Sequence, residues 1–298
     1  MEIVQCVPNF SEGCDTAKIE AVIAPLKNQP GFKLIGCEPD KNYNRTVVTL
    51  LGDGDAMIEP LLEFVGKAVQ LINLNYHKGE HPRMGAVDVI PFVPIKNITM
   101  KECVALAQKL GEKIAKQYHF PVFLYEEAAR SLDRQNLADI RKGEFEGMKE
   151  KIKSKEWYPD YGTPEIHPTA GAVAVGAREP LIAYNINLGT DDIDIAKAIA
   201  KAIRHSNGGF RYIKAGAAKI ADRNIVQVTM NITDYRKTAI YRVFEAVKTE
   251  AKRYGINVLG SEVVGMMPLT AALDSLAYYL GLTDFDGKKI LESYLLEK

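Results

Sequence analysis

Cysteine is scarce: Cys6, Cys14, Cys37 and Cys103 are the four in 298 residues, and no two form a CxxC pair. A disulfide framework is not expected in so large a chain, and the four read as reduced thiols that pack as small apolar side chains. Net charge is missing as well, since 38 Lys plus Arg balance 38 Asp plus Glu. A main partner of nucleic acid would want a basic surface or stripe, so none is expected. No run of 18 apolar residues is present to cross a bilayer, and no basic-then-apolar leader precedes the first strand-like segment. A cytoplasmic protein with no membrane partner is the expectation. Gly52-Asp53-Gly54-Asp55 lacks both GxGxxG and GK[ST], so it reads as a turn into a helix rather than a phosphate loop. With 47% apolar and 26% charged residues, disorder is excluded too.

What is present is an alternation of short apolar strands and amphipathic helices. Residues 2–7 read as a strand closed by Pro8, and 16–27 as a helix with Ile19, Val22, Ile23 and Leu26 on one face. Strands follow over 32–37 and 45–52, around the polar turn 39–44. A helix over 56–72 leads to the apolar run 87–93, where Pro91 predicts an edge or a bulge. Thr99 with Glu102 makes a capping box for a helix ending near Tyr118, and 121–125 is a further strand. The second half repeats this core: strand 181–188, helix 192–205, strands 212–220 and 225–232, helix 238–254, strand 256–259. The expected class is α/β (α+β), with two ferredoxin-like β-α-β-β-α-β subdomains at 1–179 and 180–298. Residues 134–161 read as a charged helix between them, and 269–298 as two short helices.

Three clusters could carry chemistry. The densest is His77-Lys78-Gly79-Glu80-His81-Pro82-Arg83-Met84-Gly85, at the end of a helix and before a buried strand. Its His-x-x-Glu-His spacing is that of an inverted zincin, which needs both histidines on one continuous helix. Gly79 weakens such a helix and Pro82 disfavours helical geometry at His81. The other reading makes His81 a loop-borne general acid and base, with Glu80 and Arg83 beside it. In the second cluster, Glu38 to Arg45, a guanidinium at a turn could hold a substrate carboxylate, Arg45 by a bidentate pair. Arg83 and Arg178 are cations of the same kind. The third is Gly162-Thr163-Pro164-Glu165-Ile166-His167-Pro168-Thr169-Ala170-Gly171, whose glycines and prolines forbid a regular element. An irregular loop between domains is a natural place for a ligand, or else a plain linker.

These residues resemble the formiminotransferase family. The similarity is carried by Cys6-Val7-Pro8-Asn9-Phe10-Ser11-Glu12-Gly13, by Gly79 to Asp88, by Gly143-Glu144-Phe145-Glu146, by Gly171 to Arg178 and by Asn185-Ile186-Asn187-Leu188. Further short matches extend it over about residues 3 to 270. The resemblance implies two subdomains with facing sheets across a folate-binding groove, in a homodimer. It also implies transfer of a formimidoyl group from N-formimidoyl-L-glutamate to N5 of tetrahydrofolate, in histidine degradation and one-carbon metabolism. It puts the catalytic histidine at His81 and the folate stretch at residues 162–171, with tetrahydrofolate as co-substrate and no metal expected. Where relatives often have Asp, this chain has Glu38, whose role is then open alongside those of Arg45, Arg83 and Arg178 in binding the donor. A cyclodeaminase, fused in some relatives, would here be a separate protein. Two alternatives stay open: a folate-dependent transferase using formimidoylglycine or formylglutamate, and a folate-binding protein without chemistry.

Overall fold

The computed structural model describes residues 2–220 and 223–295, so the expected tail to 298 ends outside the described residues. The chain divides into two compact units between Arg178 and Glu179. No helix among the described residues is long and apolar enough to cross a membrane.

The first unit runs β1 (Ile3–Cys6), β2 (Asn9–Phe10), α1 (Thr16–Ile23), β3 (Phe32–Asp40), β4 (Arg45–Gly52), α2 (Gly54–Leu71), β5 (Val87–Lys96), α3 (Met100–Tyr118) and β6 (Val122–Glu126), then α4 (Leu137–Arg141), α5 (Glu144–Lys151) and β7 (Val173–Ala177). One mixed sheet holds all seven strands. β3 pairs with β4, β4 with β1 and β2, and these with β5, all antiparallel; β7 then joins β5 and β6 in parallel. The second unit runs β8 (Ile182–Leu188), α6 (Ile193–Ile203), β9 (Ile213–Ile220), β10 (Ile225–Ile232), α7 (Ile240–Arg253), β11 (Val258–Val264) and α8 (Leu269–Leu280). Its four strands lie in the order β11-β8-β10-β9, every pair antiparallel.

Local chemistry sets the element ends. Thr99 accepts from the Glu102 amide while Glu102 reaches back to Thr99, so α3 starts at the predicted capping box. Asp53 caps α2 in the same sense, accepting from the amides of Asp55 and Ala56. The helices α1, α2 and α3 bury Ile19, Leu61, Phe64 and Leu110 against one face of the larger sheet. The other face is covered over β5, β6 and β7 by α4 and α5, through Ile140, Met148 and Ile152 against Val89, Phe123 and Ala174. With both faces covered, β5 is buried without a break from Val87 to Val93 rather than in alternation, and apart from Asp88 that stretch is apolar.

Three expectations need correction. Pro91 was expected at an edge or a bulge, yet β5 passes through it to Lys96 between β1 and β7. The proline fits because the Pro91 carbonyl accepts from the Val7 amide, so its missing donor faces the break between β1 and β2 at Val7-Pro8. The expected helix over 134–161 is in fact α4 and α5 with short 3-10 turns at Leu132–Arg134 and Lys155–Trp157. Gly143, at φ +92°, interrupts it and starts α5 as a separate helix. Of the four free cysteines, Cys6 and Cys103 are buried as small apolar residues, whereas Cys14 is exposed. β7, made of small and β-branched residues, was missed as a strand altogether.

Candidate active site

His81 lies on the irregular segment between α2 and β5, and three neighbouring segments hold it. The first is the β3–β4 turn. The Asn44 side-chain amide donates to the Lys78 carbonyl at 2.8 Å, and the Glu80 amide to the Asn42 carbonyl at 3.1 Å. His77 Nε2 lies 2.8 Å from the Asn44 carbonyl. A carbonyl only accepts, so neutral His77 carries its proton on Nε2, and its Nδ1 is buried without a partner. The two segments approach so closely that a Cβ on Gly79 would stand 2.3 Å from the Tyr43 carbonyl oxygen.

The second is the end of the irregular loop 162–171. The Ala86 amide donates to the Ala170 carbonyl at 2.8 Å and the Ala172 amide to the Met84 carbonyl at 3.0 Å, around a Gly85–Gly171 bridge. Gly171 takes φ +78°, and a Cβ there would sit 2.1 Å from the Met84 oxygen. So Ala170 and Gly171, at the inner end of the loop, are buried against the His81 segment, while Gly162, Thr163, Pro164 and Glu165 are exposed. Within it, His167 Nδ1 accepts from the Ala170 amide at 3.0 Å, and its ring meets Phe120 edge-on.

The third is α4–α5. Arg83 donates through Nη1 to Glu144 at 2.8 Å and through Nη2 to Glu146 at 2.9 Å. Asp88, 1% exposed, accepts from the Met84 amide at 2.8 Å and pairs with Arg141 of α4. A bulge makes this possible. Phe10 pairs with Val87 and Asn9 with Val89, leaving Asp88 as the extra residue. Two successive residues, Asp88 and Val89, therefore both serve the α4 side of the sheet.

His81 itself is 7% exposed. The Tyr43 ring stands edge-on to it with centroids 6.3 Å apart, and the Arg45 guanidinium lies 5.4 Å from the Tyr43 ring centre. Burial, then the charges of Arg141, Arg45, His77 and Arg83, push the imidazole pKa down to about 2. The ring is therefore neutral at physiological pH. Burial likewise lowers His77 and Arg45 from their ordinary values. Arg45 has no carboxylate partner among the described residues, and its Nε is buried and unpartnered. Such an arrangement can do proton transfer at a neutral imidazole beside a cation that is free to take an anion.

Of the residues singled out from sequence, His81, Arg45 and Arg83 come together here. Glu38 is exposed on β3 opposite Val47, and neither it nor Arg178 is among the charges acting most strongly on His81. Arg178 follows β7, and its guanidinium engages the buried Tyr125 hydroxyl. The helix that an inverted zincin needs is not formed, since residues 77–81 are irregular and Glu80 is exposed. Sequence reasoning missed Arg141, which nothing in a charged stretch marks out. It also missed the role of Asp88, though one carboxylate inside an apolar strand run is a signal.

The family model described as the formiminotransferase domain, N-terminal subdomain, matches residues 3–178, and that described as the formiminotransferase domain matches 183–291. The chain is 51% identical to a glutamate formimidoyltransferase of Streptococcus pyogenes serotype M1, over 99% of each protein. It is 44% identical to a glutamate formimidoyltransferase of Thermoplasma acidophilum, over 98% of this chain and 97% of that one. A formimidoyltransferase-cyclodeaminase of Dictyostelium discoideum is 41% identical over 94% of this chain, which matches 53% of that longer protein. With both halves matched in order and near-complete coverage by the first two relatives, the chain belongs to the formiminotransferase family.

Proposed function

We propose that this protein transfers the formimidoyl group of N-formimidoyl-L-glutamate to N5 of tetrahydrofolate. The observation that carries this reading is a buried, neutral His81 beside a guanidinium, Arg45, that lacks a carboxylate partner. Full-length similarity to proteins named glutamate formimidoyltransferase gives it the reaction. Tetrahydrofolate supplies the nucleophile, N5, for attack on the formimidoyl carbon. His81 takes the N5 proton as the N5–carbon bond forms and returns it to the glutamate nitrogen as the old carbon–nitrogen bond breaks. Without that proton the departing amine is a poor leaving group. Arg45 holds a donor carboxylate, and Tyr43 between Arg45 and His81 fixes the spacing.

The folate co-substrate is assigned to residues 162–171. The exposed backbone and the Glu165 carboxylate of this loop suit a pterin edge, and its inner end is bonded to the His81 segment. No step requires a metal ion. Glu38 stays at the margin of this assignment, Arg83 serves to position the His81 loop, and Arg178 supports Tyr125. The setting is that of a cytoplasmic homodimer in histidine degradation and one-carbon metabolism, with a cyclodeaminase acting on its product.

The test is incubation of the purified protein with formimidoylglutamate and tetrahydrofolate. Equal amounts of glutamate and 5-formimidoyltetrahydrofolate are expected, with turnover lost in His81→Ala. Saturable folate binding without product would overturn the reading in favour of a binding protein.

A further inference from the structure

The cations near His81 are unevenly paired, and the open donors have a definite place. Three guanidiniums lie close enough to act on the ring, those of Arg45, Arg83 and Arg141. Glu144 and Glu146 occupy both terminal nitrogens of Arg83 and leave only its buried Nε unpaired, so that cation is spent on holding the loop. Asp88 takes only Nη2 of Arg141, and Arg141 Nε is buried with no partner. Arg45 makes no ion pair with a carboxylate among the described residues, Asp40 across the strand pair and Asp88 acting on it only from farther away, and its Nε is orphaned in the same way. Buried guanidinium donors left unpaired are costly unless a ligand completes them.

Resting on the transferase reading above, we propose that Arg45 and Arg141 together form the donor's dicarboxylate subsite, each taking one of its two carboxylates. Sequence pointed to Arg45, Arg83 and Arg178 for this task. The structure removes Arg83 and Arg178 by giving them other partners, and brings in Arg141 from a helix some sixty residues downstream of the His81 loop. The number of open donors fits the substrate class. A formimidoyl dicarboxylic amino acid carries two carboxylates, one for each of the two guanidiniums that keep an unpaired buried Nε and free donors. Asp88 holds the Arg141 fork from behind, so the donors not facing Asp88 are set before the substrate arrives. Selection between a one-carboxylate and a two-carboxylate donor then lies in these two residues.

The experiment compares three donors on the full chain: formimidoyl-L-glutamate, formimidoyl-L-glutamine (side-chain carboxylate neutralised) and N-formimidoyl-4-aminobutyrate (main-chain carboxylate absent). Wild type, Arg45→Gln and Arg141→Gln are assayed for kcat/KM with each, and for KM toward tetrahydrofolate. Each variant is expected to lose about 10- to 100-fold on formimidoylglutamate and on the one analogue that keeps its carboxylate, with little change on the other. The unaffected analogue should differ between the two variants, and the folate KM should stay within about twofold. Arg141→Gln leaves Asp88 buried and unpaired; if it fails to fold, Asp88→Asn with Arg141→Gln removes both charges and keeps an acceptor for the Met84 amide. Equal loss on all three donors, or no loss on any, overturns the subsite. A wild-type protein that transfers nothing from formimidoylglutamate refutes the transferase reading instead, which separates the two failures.

Discussion

Arg83 and Glu146 meet as a fork, Nη2 to Oε1 at 2.9 Å and Nη1 to Oε2 at 3.1 Å, and so fasten the His81 loop to the start of α5. Arg83 is nearly enclosed while Glu146 is exposed, which makes the guanidinium the costly member to strand. Glu144→Gln with Glu146→Gln should lower stability by about 1 to 2 kcal/mol after solvent screening of the exposed carboxylates, a fall of a few degrees in Tm. Turnover should drop more than donor KM rises, because the loop that carries His81 loosens. Thermal unfolding and steady-state kinetics on the double variant check both.

Replacing His81 by Asn removes the proton carrier and keeps a polar side chain. A loss of about 10²- to 10⁴-fold in kcat is expected, with folate affinity within about threefold of wild type. Comparable losses in kcat and in equilibrium folate binding would assign His81 to binding rather than to proton transfer.

Acid sensitivity should follow from the same ring. Folded His81 has a pKa of about 2, set by burial and by Arg141 from α4, Arg45 from β4, and His77 and Arg83 from its own segment. The unfolded value is about 6.5, so below that pH the unfolded chain binds a proton that the folded chain refuses. Stability is therefore fully present above about pH 6.5 and falls as the pH drops, by up to about 1.4 kcal/mol per unit from this group. His77, lowered in the same direction by burial, adds to the trend in every variant. Urea midpoints at pH 7.5 and pH 5.0 should fall further for wild type than for His81→Gln, and matching falls would contradict the ring's burial as a neutral group.

Gly171→Ala should be among the most damaging single-methyl changes in the chain. Its positive φ and the Met84 oxygen 2.1 Å from the new Cβ leave no room, so a loss of roughly 3 kcal/mol or more is expected. Because the Ala86–Ala170 and Ala172–Met84 bonds would part, folate affinity should fall with stability; measuring both on the soluble fraction tests the coupling.

Much of this was legible in the sequence, for reasons that can be named. Helix α3 began at its capping box, and β4, β8 and β10 were marked by β-branched runs between turn residues, because local propensity and tertiary packing agreed there. Pro91 misled because a proline's tolerance in a sheet depends on what lies opposite it, here a break at Val7-Pro8 far away in sequence. The broken helix over 134–161 misled for the opposite reason: its charges look like a solvated face, yet Arg141, Glu144 and Glu146 each have a partner near His81. His81 and Arg45 stood out because titratable residues beside turns are conspicuous. Arg141 did not, since a buried pair is set by the fold and leaves no spacing to read.

The extra residue at Asp88 gives β5 a fixed length. Side-chain identities along this strand can be exchanged for others of like size, but removing one residue at 88 or 89 would restore a regular pleat and leave one side chain, not two, turned toward α4 there. Loss of residue 88 would strip Arg141 of its anchor, and loss of residue 89 would take Val89 out of the apolar layer under α4, while the chain still formed a sheet. Homologues that drift in sequence are thus expected to keep this stretch free of insertions and deletions even where its residues vary.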